Sequence, residues 1–226
     1  MTNHKSDKTK KAVVLLSGGL DSAVTLYSAK QKGYELFALS FDYGQRHNKE
    51  LGLAEKLARR AGASWNRIKF AMPWKGSALV DKKYKIPKQG KFGGEIPVTY
   101  VPSRNIIFLS FASSFAEAVG AEYVFIGANQ IDYSGYPDCR GDFLRAFELT
   151  LKKGTKTGVQ GHGIRIVAPL LNKNKTQIVK AGVKLKVPFE LTWSCYEGKA
   201  RPCGRCDSCR LRKQGFSAAG IKDPAL

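Results

Sequence analysis

No stretch of this chain is apolar for long enough to cross a bilayer. The longest mostly apolar run, 106–116, is broken by serines and falls well short of the roughly 20 residues a spanning helix needs. The basic N-terminus carries an apolar run only at 12–16, stopped by Ser17-Gly18-Gly19, which is too short for a signal-peptide core. These two absences predict a cytoplasmic chain with no membrane partner. No internal repeat or low-complexity segment is present. Acidic residues are scarce: 18 Asp and Glu stand against 38 Lys and Arg, a net charge of +20. Residues 152–189 hold nine Lys or Arg and no acid. Such a surface suits a polyanion, either RNA or nucleotide phosphates, and equally suits a solvated basic face. With 43% hydrophobic and 25% charged residues, disorder of the whole chain is excluded.

Cysteines are few but unevenly placed. There are five, and four of them, Cys195, Cys203, Cys206 and Cys209, fall within fifteen residues. In a reducing compartment such spacing points to a metal before a disulfide. Four thiolates complete a closed tetrahedral zinc site, one per chain, with no open position for water, so its role is structural. Gly204 allows a tight knuckle there, and Arg201, Arg205 and Arg210 offset the thiolate charge. An iron–sulfur cluster is the competing reading.

Along the chain, 12–16 is a short β-branched and leucine run that predicts a buried parallel strand. Helical spacing over 22–32 ends at Gly33. Residues 36–41 predict a second strand, 48–61 a second helix closed by Gly62, and 65–70 a third strand. The excursion at 72–97, with its lysines, glycines and prolines, reads as a surface segment that could act as a lid. An apolar helix at 105–119, a strand at 123–126 and an amphipathic helix at 142–153 follow. A glycine-rich loop at 155–163, a strand at 165–168 and a helix at 175–185 complete the pattern. This alternation predicts an α/β fold, a Rossmann-like doubly wound parallel sheet. Three parts are expected: a disordered basic leader at 1–11, the α/β domain at 12–186, and a small zinc-binding appendage at 187–226.

Ser17-Gly18-Gly19-Leu20-Asp21-Ser22 lies between the first strand and the first helix. Glycines there let the backbone approach an anion, and the helix N-terminus adds partial positive charge. Ser17 and Ser22 add hydroxyls. Asp21 would repel a phosphate unless Mg²⁺ lies between them. The hexad is neither a Walker sequence nor a dinucleotide fingerprint. It resembles the pyrophosphatase-type P-loop of ATP hydrolases that cleave between the α and β phosphates.

The stretches AVVLLSGGLDSA, ALSFDYGQRH, YVPSRNIIFLSFA, FIGANQIDYSGYPDCR, PLLNKNKTQI, and TWSCY through CGRCDSC occur in order from Ala12 to about Phe216. In these the chain resembles the 7-cyano-7-deazaguanine synthase family, nitrile-forming enzymes of queuosine and archaeosine precursor synthesis. The departures are the Lys-rich leader, the high basicity, and Ser103 within VPSRN. The resemblance implies that ATP with Mg²⁺ activates 7-carboxy-7-deazaguanine as an acyl-adenylate. Ammonia then gives the amide, and a second ATP drives elimination to the nitrile.

The resemblance also implies the site. ATP would be held by Leu16, Ser17, Gly18, Gly19, Leu20, Asp21 and Ser22, with Tyr43, Arg46, Asn105 and Gly127. Lys175 matches the family's phosphate-side lysine. Asp21, Ser22, Arg104 and Lys175 are the catalytic candidates. Arg104 suits a carboxylate or phosphate by its bidentate fork. For the deazaguanine, Asp132 or Asp138 could accept from ring N–H groups and Tyr133 or Tyr136 could stack on it, with Cys139 and Arg140 nearby. His47 reads as a hydrogen-bonding residue. Thr2 follows Met1, and Cys139 lies in Asp-Cys-Arg, so no glutaminase nucleophile is evident and free ammonia is the expected donor. No stable nucleic-acid partner is required. A tRNA-modifying thiolase of the same superfamily and a non-catalytic zinc-ribbon RNA binder are the alternatives. Monomer and homodimer stay open.

Overall fold

The first strand, β1 (Lys11–Leu15), shows why this sequence makes a parallel sheet. Ala12, Val14 and Leu16 pack into one core, and Val13 and Leu15 into another. A strand covered on both faces has no polar side and therefore reads as one continuous apolar run. The computed structural model describes residues 9–88, 96–132 and 135–225. Among them β2 (Glu35–Asp42), β3 (Ser64–Lys69), β4 (Tyr123–Phe125) and β5 (Arg165–Val167) join β1 in an all-parallel sheet of order β3-β2-β1-β4-β5. The helices are α1 (Leu20–Gln31), α2 (Lys49–Ala61), α3 (Arg104–Val119), α4 (Gly141–Gly154), α5 (Lys156–Val159), α6 (Lys175–Lys184) and α7 (Asp207–Ala219).

This is the expected doubly wound α/β architecture. The chain runs outward from β1 through β2 to β3, then returns to the other side of β1 with β4. The loops leaving β1 and β4 therefore diverge and open a crevice at the carboxyl edge. No helix among the described residues is long and apolar enough to cross a membrane.

Three expectations change in detail. The glycine-rich loop at 155–163 contains the short helix α5, whose first turn is capped by the Thr155 hydroxyl accepting from the Gly158 N–H. The described part of the 72–97 excursion has no regular element, yet it is fastened. Ser77 and Ala78 are buried, and the Arg46 guanidinium donates to the carbonyls of Ala78, Asp81 and Tyr84. The tail beyond 187 carries α7, which lies against α6, and Phe216 meets Phe189 edge-on at 5.1 Å within the larger core. A buried Arg212–Asp223 pair, at 2.6 and 2.8 Å, ties down the end of the chain. Residues 1–8 of the expected leader lie outside the described residues.

Candidate active site

The crevice is a cleft of about 270 Å³ walled by the loops after β1, β2 and β4, the start of α3, and the C-terminal segment. One end of the cleft is the hexad. Gly18 has φ +87°, and a Cβ there would stand 2.2 Å from the Glu50 carbonyl oxygen of α2. Only glycine fits so close a backbone approach. The serines brace the turn: Ser17 Oγ accepts from Gly19 N at 3.2 Å, and Ser22 Oγ donates to Gly19 O at 3.0 Å. From outside the hexad, Trp193 N donates to Gly18 O at 2.9 Å. The loop is thus held in shape before any anion arrives, which is the condition for electrostatic stabilisation without reorganisation.

Lys175 opens α6 directly after Asn174, whose side chain caps the helix in a reciprocal pair with Gln177. Its ammonium lies 2.8 Å from both Asp21 carboxylate oxygens and 3.3 Å from Asp132 Oδ2. Asn129 Nδ2 also donates to Asp132 Oδ2, at 3.1 Å. Burial raises the Asp132 carboxyl pKa, and Lys175 opposes that rise. The stem of Lys175 crosses α7 at Gly215, where a Cβ would stand 2.6 Å from Lys175 Cγ. The clash would fall near the root of the side chain, which cannot swing away. Gly215→Ala is therefore expected to displace the ammonium and lower the maximal rate at least tenfold, although alanine is the better helix former. Unchanged turnover in this variant would refute the positioning.

The other end of the cleft is built around Arg104, the first residue of α3. Its Nε is buried without a hydrogen-bond partner. Burial works against its charge, but Tyr43, Cys139, Asp138 and Tyr136 outweigh burial and raise its pKa. Tyr43, Phe41 and Phe108 form an aromatic wall, with Phe41 and Phe108 stacked at 4.1 Å and Tyr43 at 5.3 Å from Phe108.

The candidate residues divide clearly. Leu16, Ser17, Gly19, Leu20, Asp21, Ser22, Tyr43, Arg104, Asn105, Gly127, Tyr136, Cys139 and Lys175 all line the cleft. Gly18 supports it from behind. Arg46 does not line it, because its guanidinium is spent on the excursion's carbonyls. Asp138 is buried and accepts from Asn105 N at 3.0 Å, capping α3 instead of facing the cleft. Asp132 is engaged by Lys175 and Asn129, at the hexad end of the cleft. Tyr136 bonds Thr99 Oγ1 at 2.6 Å. Arg140 is exposed and outside the cleft, and Tyr133 lies outside the described residues. Burial pushes the Cys139 thiol up to about 11, so it is protonated and no nucleophile at neutral pH. His47 Nε2 lies 3.0 Å from Cys195 O, a structural contact. Glu50, Asn129, Tyr196, Ser208 and Arg212 also line the cleft, though none is a candidate from sequence. Nothing in their local pattern sets them apart.

The four clustered cysteines come together with all sulfurs within 4.8 Å of one another. Tetrahedral zinc, with bonds of about 2.3 Å, requires sulfur–sulfur edges of about 3.8 Å, and Cys203 Sγ and Cys209 Sγ stand 4.0 Å apart. Backbone N–H groups of Glu197 and Cys203 point at Cys195 Sγ, and that of Cys206 at Cys203 Sγ. These donors soften thiolate charge, as a four-sulfur metal site needs. All five cysteines are free of disulfides. The donor set fits one metal ion and suits zinc.

The sequence comparisons agree with this architecture. A family model described as "Queuosine biosynthesis protein QueC" matches residues 11–220. A protein of Nostoc punctiforme named 7-cyano-7-deazaguanine synthase is 52% identical over 221 residues, covering 96% of this chain and 99% of its own. One of the same name from Pseudomonas fluorescens is 51% identical over 228 residues, covering 99% and 98%. Among solved structures, NMN synthetase from Francisella tularensis matches with a TM-score of 0.52 at 16% identity, over 95% of this chain and 79% of that one. That likeness concerns the fold alone. The family match runs from β1 to the residue that closes α7, and the relatives keep half of its residues over nearly their whole length; the chain belongs to the QueC family of queuosine biosynthesis proteins.

Proposed function

We propose that this chain is an ATP-dependent ligase that converts 7-carboxy-7-deazaguanine and ammonia to 7-cyano-7-deazaguanine. One observation carries the reading: a preorganised phosphate loop and a buried arginine with an unused donor open on the same cleft. The first end suits the pyrophosphate of ATP, and the second a carboxylate. Relatives half identical to this chain carry the corresponding name.

In this reading the substrate carboxylate attacks the α-phosphate of ATP. The hexad's backbone N–H groups and Lys175 hold the departing pyrophosphate. Asp21 and Asp132 would hold Mg²⁺ with the phosphates, since that ion is commonly bound by one or two carboxylates plus substrate oxygens. When bound it supplies charge neutralisation at the phosphates. Arg104 orients the carboxylate, and Tyr43 and Phe108 supply a flat apolar wall for a ring. Ammonia displaces AMP to give the amide. A second ATP activates the amide oxygen, and loss of AMP leaves the nitrile. The cysteine cluster holds zinc in a structural role, because four thiolates leave no coordination position for a reactant. Sulfur transfer to tRNA is disfavoured, since Cys139 is buried and protonated and the other cysteines are committed to the cluster.

The experiment is direct. Protein, ATP, Mg²⁺ and 7-carboxy-7-deazaguanine are incubated with ammonium, or with glutamine free of ammonium, and the products are weighed by mass spectrometry. Nitrile with ammonium and none with glutamine is the expected result, because no cysteine is placed as a glutaminase nucleophile. Equal rates with the two donors would refute the nitrogen assignment. Absence of both amide and nitrile would refute the reaction.

A further inference from the structure

Glu50, in the first turn of α2, is a carboxylate for which the reaction above has no task. It lines the cleft, and its main chain presses on Gly18 of the phosphate loop. Its side chain makes no hydrogen bond or ion pair among the described residues. The same cleft is also lined by the apolar Leu16, Leu39, Leu51 and Leu79. Glu50 is partly exposed to the cleft, so its carboxylate is left to water or to a ligand that brings a donor. Its place beside the phosphate loop puts that donor near the centre where an adenylate would form.

We propose that Glu50 is the catalytic base that converts ammonium to the ammonia nucleophile, a role that rests on the amide-forming reading above. Ammonium cannot attack a carbonyl, because its nitrogen has no free electron pair. One N–H bond breaks, the proton passes to the Glu50 carboxylate, and the electron pair stays on nitrogen. That pair forms the C–N bond at the acyl carbon. The bond from that carbon to the adenylate oxygen breaks, and AMP leaves with its electrons. A second proton leaves nitrogen for solvent, and the neutral amide remains.

The electrostatics agree with this role. Burial raises the Glu50 pKa to about 8, with Arg104 pulling the other way. Besides Arg104, the other titratable groups on the cleft wall are Tyr43, Tyr136 and Cys139, Asp21 and Lys175 at the hexad end, and Tyr196 and Arg212 from the C-terminal segment. Asp21 and Lys175 are paired with each other, and Arg212 with Asp223. A base is most effective when its proton affinity approaches that of the group it deprotonates. A carboxylate at its ordinary value would be too weak to hold a proton from ammonium.

Hydroxylamine tests the role, because it is neutral at pH 7 and needs no deprotonation before attack. Glu50→Gln keeps the shape and removes the base. It is expected to lose about 100-fold in product formation with ammonium at pH 7, but little in hydroxamate formation with hydroxylamine. Glu50→Asp should recover part of the ammonium rate. With ammonium, the wild-type rate should fall as pH drops below about 8, where Glu50 takes up its proton. The deficit of Glu50→Gln should narrow toward high pH, where solution ammonia is abundant. Equal losses with the two nucleophiles, or a deficit independent of pH, would overturn the role and leave Glu50 a binding or structural residue. Wild-type protein that releases no AMP from ATP and 7-carboxy-7-deazaguanine would instead defeat the reaction on which the role rests.

Discussion

Cys206→Ser is expected to strip the metal from the C-terminal cluster and to abolish turnover, although no thiolate touches a reactant. The local core there is small: Trp193, Cys195, Cys206 and Cys209, with Leu53, Ile86, Tyr196 and Cys203 around them. So few apolar groups need a metal to hold their shape, and structural zinc contributes about 10–16 kcal/mol in zinc-finger peptides at neutral pH. The cluster in turn holds the site. Trp193 N donates to Gly18 O of the phosphate loop, and the Lys49 ammonium stands 3.7 Å from the centre of a Trp193 ring. Lys49 also donates to the carbonyls of Lys199 and Ala200. Metal loss therefore frees the segment that braces the loop. Because Phe216 and Phe189 belong to the larger core, α7 should remain helical while the cluster loosens. Elemental analysis, thermal unfolding and turnover measured on one preparation decide the matter. A folded, metal-free variant with full activity would break the coupling. Native protein carrying iron and sulfide would replace zinc as the metal.

Lys175→Met should lower the rate by about 10²–10³, the usual cost of one preorganised charge-stabilising group. Asp21→Ala should fall by a similar factor while remaining folded. The two variants differ in stability. Removing Lys175 leaves Asp21 and Asp132 facing each other with 17% and 8% of their side chains exposed. Breaking a buried pair from one side typically costs about 3–5 kcal/mol. Burial already raises the Asp132 pKa with Lys175 present, and loss of the cation raises it further. A carboxyl whose folded pKa lies above its unfolded value favours the folded state at low pH and loses that advantage as pH rises. The stability deficit of Lys175→Met should accordingly shrink on acidification. Denaturant unfolding at several pH values measures this, and a deficit that grows on acidification would contradict the arrangement.

Much of this protein is decided locally and is therefore legible in its sequence. β1 reads as a strand because both of its faces are buried, so five consecutive positions tell the whole story. The hexad reads as a phosphate loop because its glycines, hydroxyls and following helix lie within six residues. The cysteine cluster reads as a metal site because three of its cysteines, 203, 206 and 209, are each separated by two residues. Alternating strands and helices specify the doubly wound sheet, since parallel strands require crossovers.

What the tertiary structure alone decides is which of the many polar residues face one another. Lys175 meets Asp21 across 154 positions and shares its ammonium with Asp132. Gly215 matters only because α7 crosses the stem of Lys175. Arg46 looks like a phosphate ligand until its guanidinium is found among the carbonyls of 78–84. Asp138 looks like a base reader until it is found capping α3. Glu50 carries no local mark at all, because an acid in the first turn of a helix is ordinary. Its isolation inside the cleft arises from walls contributed by β1, β2, α3 and the C-terminal segment together. Spacing along a chain encodes the periodicity of a helix or strand and the reach of a short loop. It does not encode which distant side chains the sheet's switch point will draw into one cleft, and that is where this protein's chemistry lies.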